Sequence, residues 1–238
     1  MVADTMRLDK FLAECGIGTR SEVKSIIKKG RVTVNGVPVN DGGYKVRTGG
    51  TDVVMLDGRK LEYEQFRYYM LNKPQGCVSA TRDGLSTTVL EYLDGERTDD
   101  LFPVGRLDKD TVGFLLLTND GQLGHELTSP KKHVDKTYLA LVDKELSGED
   151  MEVFSKGLDI GDDKPTLPAV IKPAGVYRYE VVLREGRFHQ VKRMFEALGS
   201  TVLHLERTAI GRIALDPKLA PGEWRRLTAE EVETLKHR

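Results

Sequence analysis

Cysteine is nearly missing from these 238 residues: only Cys15 and Cys77 occur, far apart and in no C-x-x-C pair. That excludes a disulfide framework and a cysteine zinc site, and it fits a reducing cytoplasm. Long apolar runs are missing too. No window approaches the roughly 18 apolar residues a membrane span requires. The first residues, MVADTMRLDKF, lack the apolar stretch of a signal peptide, so a cytoplasmic protein is expected. There is no P-loop and no G-x-G-x-x-G after a strand pattern, which argues against a nucleotide cofactor. The five histidines show no H-x-x-x-H spacing, and Asp108-Lys109-Asp110 lacks the acidic neighbours of a cation site, so no metal is expected. A G-x-S-x-G elbow, internal repeats and low-complexity segments are absent as well.

What is present suits a globular chain with a real core: 39% hydrophobic and 31% charged residues. The net charge of -1 conceals an uneven distribution. Residues 1–50 hold nine Lys and Arg against five Asp and Glu, and the remainder holds 27 against 32. A basic N-terminal quarter on an acidic protein points to an anionic polymer, although counts alone favour an ordinary solvated surface.

Position strengthens the first reading. Thr19-Arg20-Ser21-Glu22 has the form of a capping box. Val23, Ile26 and Ile27 then recur at helical spacing, and Gly30 can end the helix in a left-handed conformation. Arg20, Lys24 and Lys28 stand four apart on the other face, with Lys29 and Arg31 beside them. The alternating valines of RVTVNGVPVN around Asn35-Gly36 signal a hairpin. An earlier short helix, RLDKFLAECG, offers Leu8, Phe11 and Leu12 as a buried partner.

Residues 6–50 thereby resemble the S4 RNA-binding domain, in which the basic helix and following turn lie against structured RNA. The resemblance makes Arg20, Lys24, Lys28, Lys29 and Arg31 phosphate-contacting residues, which position a protein without reading sequence. Residues 1–5 read as an extension. Residues 48–66 finish a strand and carry polar, charged text towards a second domain. The first domain is expected over 1–62, with the boundary near Glu62 to Gln65, and a larger one over 63–238.

In that larger domain RYYMLNKPQG reads as a strand stopped at Pro74, and HVDKTYLALV as a second. SGEDMEVFSKG opens with an N-cap signature, as does the last helix at Thr228 and Glu231. YRYEVVLREGRFHQVKRMFEALGS is strand, turn and helix, with Val191, Met194, Phe195 and Leu198 apolar and His189, Lys192 and Arg193 polar. TVLHLER is a further strand. The class is α+β, on a mixed, mainly antiparallel sheet flanked by short helices.

One segment carries the chemistry. GRLDKDTVGFLLLTNDG sets two aspartates ahead of an apolar strand and an Asn-Asp-Gly turn. By itself Asp108 could merely cap a turn, Tyr138 could be a core tyrosine, and Lys192 a solvated helix residue. Yet the segment closely resembles the G-R-L-D-x-x-T-x-G-L-L-L-L-T-N-D-G signature of pseudouridine synthases, with Phe114 in place of a leucine. YYMLNKPQG, DKTYLALV, EGRFHQVKRMF and APGEWRRLT also look like segments of the RsuA-type branch, which carries an S4 domain and modifies small-subunit ribosomal RNA.

The resemblance implies that Asp108 is the catalytic nucleophile, Tyr138 the active-site tyrosine and Lys192 its basic partner. It makes Arg106 the arginine that enters the RNA stack, with His189, Gln190 and Arg193 on the RNA-facing helix. Asp110 is assigned to structure. The implied reaction is cofactor-free. The implied partner is ribosomal RNA or a subunit-assembly intermediate, and with no coiled-coil heptads a monomer is the default. Large-subunit RNA is the alternative target. A non-catalytic S4-type RNA-binding protein would have no need of Asp108, Tyr138 and Lys192 together. A glycosidase with paired carboxylates would find only Asp110 as its second acid.

Overall fold

The computed structural model describes residues 5–49, 51–129 and 132–237, so the expected extension lies outside the described residues except for Thr5. The chain divides into two compact units, Met1–Gln65 and Phe66–Arg238.

In the first unit β1 (Thr5–Arg7) leads into α1 (Leu8–Glu14) and α2 (Arg20–Lys28). The expected capping box is formed: the Glu22 amide donates to Thr19 Oγ1 at 3.4 Å, and the Thr19 amide donates to Glu22 Oε2 at 2.7 Å. Gly30 has φ +69° and ends the helix, as expected. Strands β2 (Val32–Val34) and β3 (Val37–Pro38) close around Asn35 and Gly36, both at positive φ, the geometry of a type I′ turn. β4 (Lys45–Arg47) pairs antiparallel with β1. β5 (Val54–Leu56) and β6 (Arg59–Lys60) form a second hairpin, turned at Asp57-Gly58, again both at positive φ. This hairpin falls where the sequence reads as polar text between domains; its Asp-Gly pair is the turn signal that gives it away. The sheet order is β3-β2-β5-β6. Leu8, Phe11 and Leu12 pack against Val23, Ile27, Val32 and Val34 in a single core.

The second unit is built on β7 (Tyr68–Lys73), β8 (Phe102–Pro103), β9 (Val112–Thr118), β10 (Lys136–Val142), β11 (Val170–Gly175), β12 (Arg178–Leu183), β13 (Val202–Ile210), β14 (Ile213–Ala214) and β15 (Trp224–Arg226). The sheet path is β11-β12-β10-β13-β9-β7-β15, with β14 on β13 and β8 on β9. Every pairing is antiparallel except β13 with β9, so the sheet is mixed and mainly antiparallel, as the sequence suggested.

Both faces are covered. α4 (Gly148–Lys156) and α5 (Gln190–Ala197) place Phe154 and Phe195 on the side of Leu71, Leu115, Tyr138 and Ala140. α3 (Gly121–Thr128) and α6 (Ala229–Lys236) place Leu127 and Leu235 on the side of Met70, Phe114 and Leu116. β9 is apolar at consecutive positions because alternate side chains enter two different cores. No helix among the described residues is long and apolar enough to cross a membrane.

Candidate active site

The parallel join between β9 and β13 sets the geometry of the site. Gly113 pairs with Arg207, has φ +96°, and a Cβ there would run into the Arg207 backbone. Only glycine permits this approach. It fixes the start of β9, and with it the loop that carries Asp108.

That loop is pinned through its backbone. Ser79 Oγ donates to the Leu107 carbonyl at 2.9 Å and accepts from the Leu107 amide at 3.0 Å. The Gly76 amide donates to the Lys109 carbonyl at 2.7 Å. The Thr111 amide donates to the Asp108 carbonyl at 3.1 Å. Lys73 is fully buried; its ammonium donates to the carbonyls of Thr111 at 2.9 Å and Pro74 at 3.1 Å. Burial pushes the Lys73 pKa below the ordinary lysine value, and Cys77 with the nearby Asp110 and Asp108 opposes part of that shift.

The three residues assigned to catalysis converge here. Lys192, on α5, places Nζ 3.2 Å from Asp108 Oδ2. It also donates to Asp110 Oδ1 at 2.6 Å, so the lysine lies between two carboxylates. Partial burial opposes the charge of Lys192, but its hydrogen bonds to both acids outweigh it and raise its pKa. The same hydrogen bond holds Asp110 below the usual carboxylate value against some desolvation. Asp110, structural by the sequence reading, is thus a direct neighbour of the candidate machinery. Tyr138 is 8% exposed and lines the same cavity of about 550 Å³ as Asp108. The register between β10 and β13 shifts between Thr137 and Tyr138, an irregularity of the kind that re-aims a side chain.

The expected RNA-facing residues separate into groups. Arg106 is exposed and lines the cavity. His189 Nε2 lies 3.6 Å from Asp108 Oδ1. Gln190 lines the cavity but is only 4% exposed; it donates to Glu185 Oε1 at 2.7 Å and accepts from the Arg187 amide at 3.0 Å. Arg193 is likewise committed within the protein, to Asp162 at 2.6 Å and to the carbonyls of Ile160 and Phe188. Both satisfy backbone groups of the loop before α5, Gln190 the Arg187 amide and Arg193 the Phe188 carbonyl. On the first unit Arg20, Lys24, Lys28 and Lys29 are exposed on α2 and its end. Arg31 is paired with Asp57, Nε to Oδ1 at 2.9 Å.

Sequence reasoning missed the cationic wall of the cavity. Lys136 and Arg207 both line it and are both buried. Burial, with Arg207 nearby adding to it, pushes the Lys136 pKa down to about 8. Arg207 Nε donates to the Phe114 carbonyl at 2.8 Å, while its Nη2 has no hydrogen-bond partner among the described residues. The signal for Lys136 was in the sequence: it stands two residues before Tyr138, and alternate strand residues share a face. The arrangement is a positively lined cavity with one ionisable carboxylate at its edge. Its volume falls within the ~300–1,000 Å³ of small-ligand clefts.

The family model described as RNA pseudouridylate synthase matches residues 67–197, and that of the S4 domain matches residues 6–53. The chain is 46% identical over 235 residues to an uncharacterized RNA pseudouridine synthase, YtzG, of Bacillus subtilis, covering 97% of this chain and 98% of that one. It is 42% identical to the ribosomal small subunit pseudouridine synthase A of Escherichia coli, covering 97% and 100%. A crystal structure of a pseudouridylate synthase superposes with a TM-score of 0.69 at 40% identity, covering 97% of this chain and 99% of that one.

Proposed function

The chain belongs to the RNA pseudouridylate synthase family, and on that premise we propose that it isomerises one uridine of small-subunit ribosomal RNA, with Asp108 as the nucleophile. The observation that carries the reading is the Asp108 carboxylate held against Lys192 at 3.2 Å on the edge of a positively lined cavity. The small-subunit target follows the relatives, which match over nearly their whole lengths. With ribosomal RNA as substrate, we take the protein to act in the cytoplasm, as a monomer.

The reaction breaks the C1′–N1 bond of uridine, turns the base and forms C1′–C5; the proton leaves C5 and N1 regains one. Atoms and electrons balance within the nucleotide, so neither a redox partner nor a group donor is needed. What is needed is an anion beside the ribose and a surface that holds the detached base. The Lys192 ammonium, 3.2 Å away, faces the Asp108 carboxylate, whether that carboxylate attacks C1′ or adds to the base. Tyr138, on the same cavity wall, can stack on the uracil and take part in the proton transfer.

The target base must leave the RNA stack first, at a cost of a few kcal/mol. Stacking on Tyr138 and insertion of Arg106 into the gap offset it, since base stacking contributes about 1–3 kcal/mol. The S4 domain supplies affinity: Arg20, Lys24, Lys28 and Lys29 neutralise phosphates without reading sequence.

The test is tritium release from a small-subunit rRNA transcript labelled at uridine C5. Wild type should release tritium, and Asp108→Asn should release none above background. Equal release by both would remove the nucleophile assignment; no release by wild type on free or ribosome-bound RNA would remove the function.

A further inference from the structure

Phe188 is 74% exposed at the mouth of the cavity that holds Asp108, an unusual place for a ring with so little apolar contact. It stacks on the adjacent His189, with centroids 3.8 Å apart and planes 18° from parallel. His189, the residue just before α5, has φ +50°, a left-handed conformation uncommon for a residue with a Cβ.

The loop is held there rigidly. The Phe188 carbonyl accepts from Arg193 Nη1 at 3.1 Å. The preceding Arg187 donates to the carbonyls of Pro165 at 2.7 Å and Lys164 at 2.6 Å, and its amide donates to the buried Gln190 at 3.0 Å. A backbone clamped on both sides, with one residue strained, presents a ring that is left facing solvent. Burial explains neither the clamp nor the strain, because the ring is not buried.

The geometry points to the Phe188–His189 pair as a base-stacking platform for the nucleotide next to the target uridine. The ligand is the face of a nucleobase in single-stranded or locally opened RNA. The assignment rests on reading the cavity as a uridine-isomerising site, and the platform is continuous with it: His189 Nε2 is 3.6 Å from Asp108. When the uridine turns out of the stack, its neighbour loses a stacking partner, and a preformed aromatic surface at the cavity mouth replaces it. Exposed Arg106 and Lys109, which line the same cavity, supply the charge complementarity for the flanking phosphates. Because the ring is already fixed, little side-chain freedom is lost on binding.

Two readouts test this. The first is tritium release from the small-subunit rRNA transcript by Phe188→Leu, which keeps apolar bulk but removes the ring, and by Phe188→Tyr, which keeps it. Phe188→Leu should raise KM about tenfold or more with kcat changed less than about threefold, and Phe188→Tyr should restore the wild-type KM. The second uses Phe188→Trp in an Asp108→Asn background, with the signal of Trp224, the natural sequence's one tryptophan, subtracted. The same transcript should quench the new fluorescence, and this readout needs no turnover. A Phe188→Leu enzyme with wild-type KM, or a fluorescence from the introduced indole that is indifferent to RNA, overturns the platform. Quenching by a protein whose Asp108-containing form never releases tritium supports the platform and removes the enzymatic reading instead.

Discussion

Asp108 and Lys192, distant in the chain, meet at 3.2 Å, and Lys192 also reaches Asp110 at 2.6 Å. The lysine therefore serves two acids, of which only Asp108 lines the cavity beside Tyr138. Removing the ammonium leaves two like charges close together and unopposed. Lys192→Met should lower kcat by about 10²- to 10³-fold, the range seen when one electrostatic stabiliser is removed from a reacting centre. Lys192→Arg should retain much of the rate, and Asp110→Asn should cost under about tenfold, because the lysine keeps Asp108. Steady-state tritium release measures all three.

The same cluster predicts a pH window for stability. Asp110 is held below its ordinary pKa by Lys192, so its contribution is present above about pH 4 and fades as pH falls through the lowered native value. Lys192 is raised above the ordinary lysine value despite partial burial, so its contribution is full below about pH 10.4 and fades as pH rises through the native value. Between those limits Asp110→Asn should show a constant stability deficit in urea titrations, shrinking in acid as Asp110 is protonated and in base as Lys192 loses its proton.

Lys136 has the opposite sign. Buried on β10 and near Arg207, it should titrate near pH 8, which a side-chain NMR titration reads directly. From about pH 8 to 10.4 the unfolded chain holds this proton and the native chain does not, so stability rises with pH across that range. Lys136→Met should be more favourable relative to wild type near pH 7 than near pH 10.

Gly113 tests the join that positions the Asp108 loop. Gly113→Ala meets both a positive φ and the Arg207 backbone, and should cost about 3 kcal/mol or more. For a chain of this size each kcal/mol is worth about 2–4 °C, so calorimetry should find Tm lowered by about 6 °C or more.

The basic face of α2 makes a prediction about salt. Neutralising Lys24 and Lys28 should weaken RNA binding and flatten its dependence on log salt by about 0.7–0.9 for each phosphate no longer neutralised. Arg31→Gln should flatten it less, because that guanidinium is already paired with Asp57. Unchanged slope in the double variant would remove α2 from the RNA interface.

Much of this architecture was legible in the residues because it is local. Thr19 with Glu22 and Asn35-Gly36 are short-range patterns whose chemistry is complete within a few positions. The continuous apolar run of β9 announced a strand, but not that two cores divide it. What the sequence concealed were long-range meetings. Helical spacing alone does not distinguish Lys192, which turns toward Asp108, from Arg193 next to it, which turns toward Asp162; only the family resemblance singled out Lys192. Gln190 looked available for RNA and is buried. Lys136 and Arg207 were invisible as a pair because only the pairing of β10 with β13 brings their strands together.

The most direct test of the central claim is carbodiimide-stop mapping of pseudouridine in ribosomal RNA. RNA would be compared from cells lacking this protein, and from the same cells carrying wild type or Asp108→Asn. The account predicts that one small-subunit uridine loses its mark and that wild type alone restores it. A full set of marks in the cells lacking the protein, or restoration by Asp108→Asn, would contradict it.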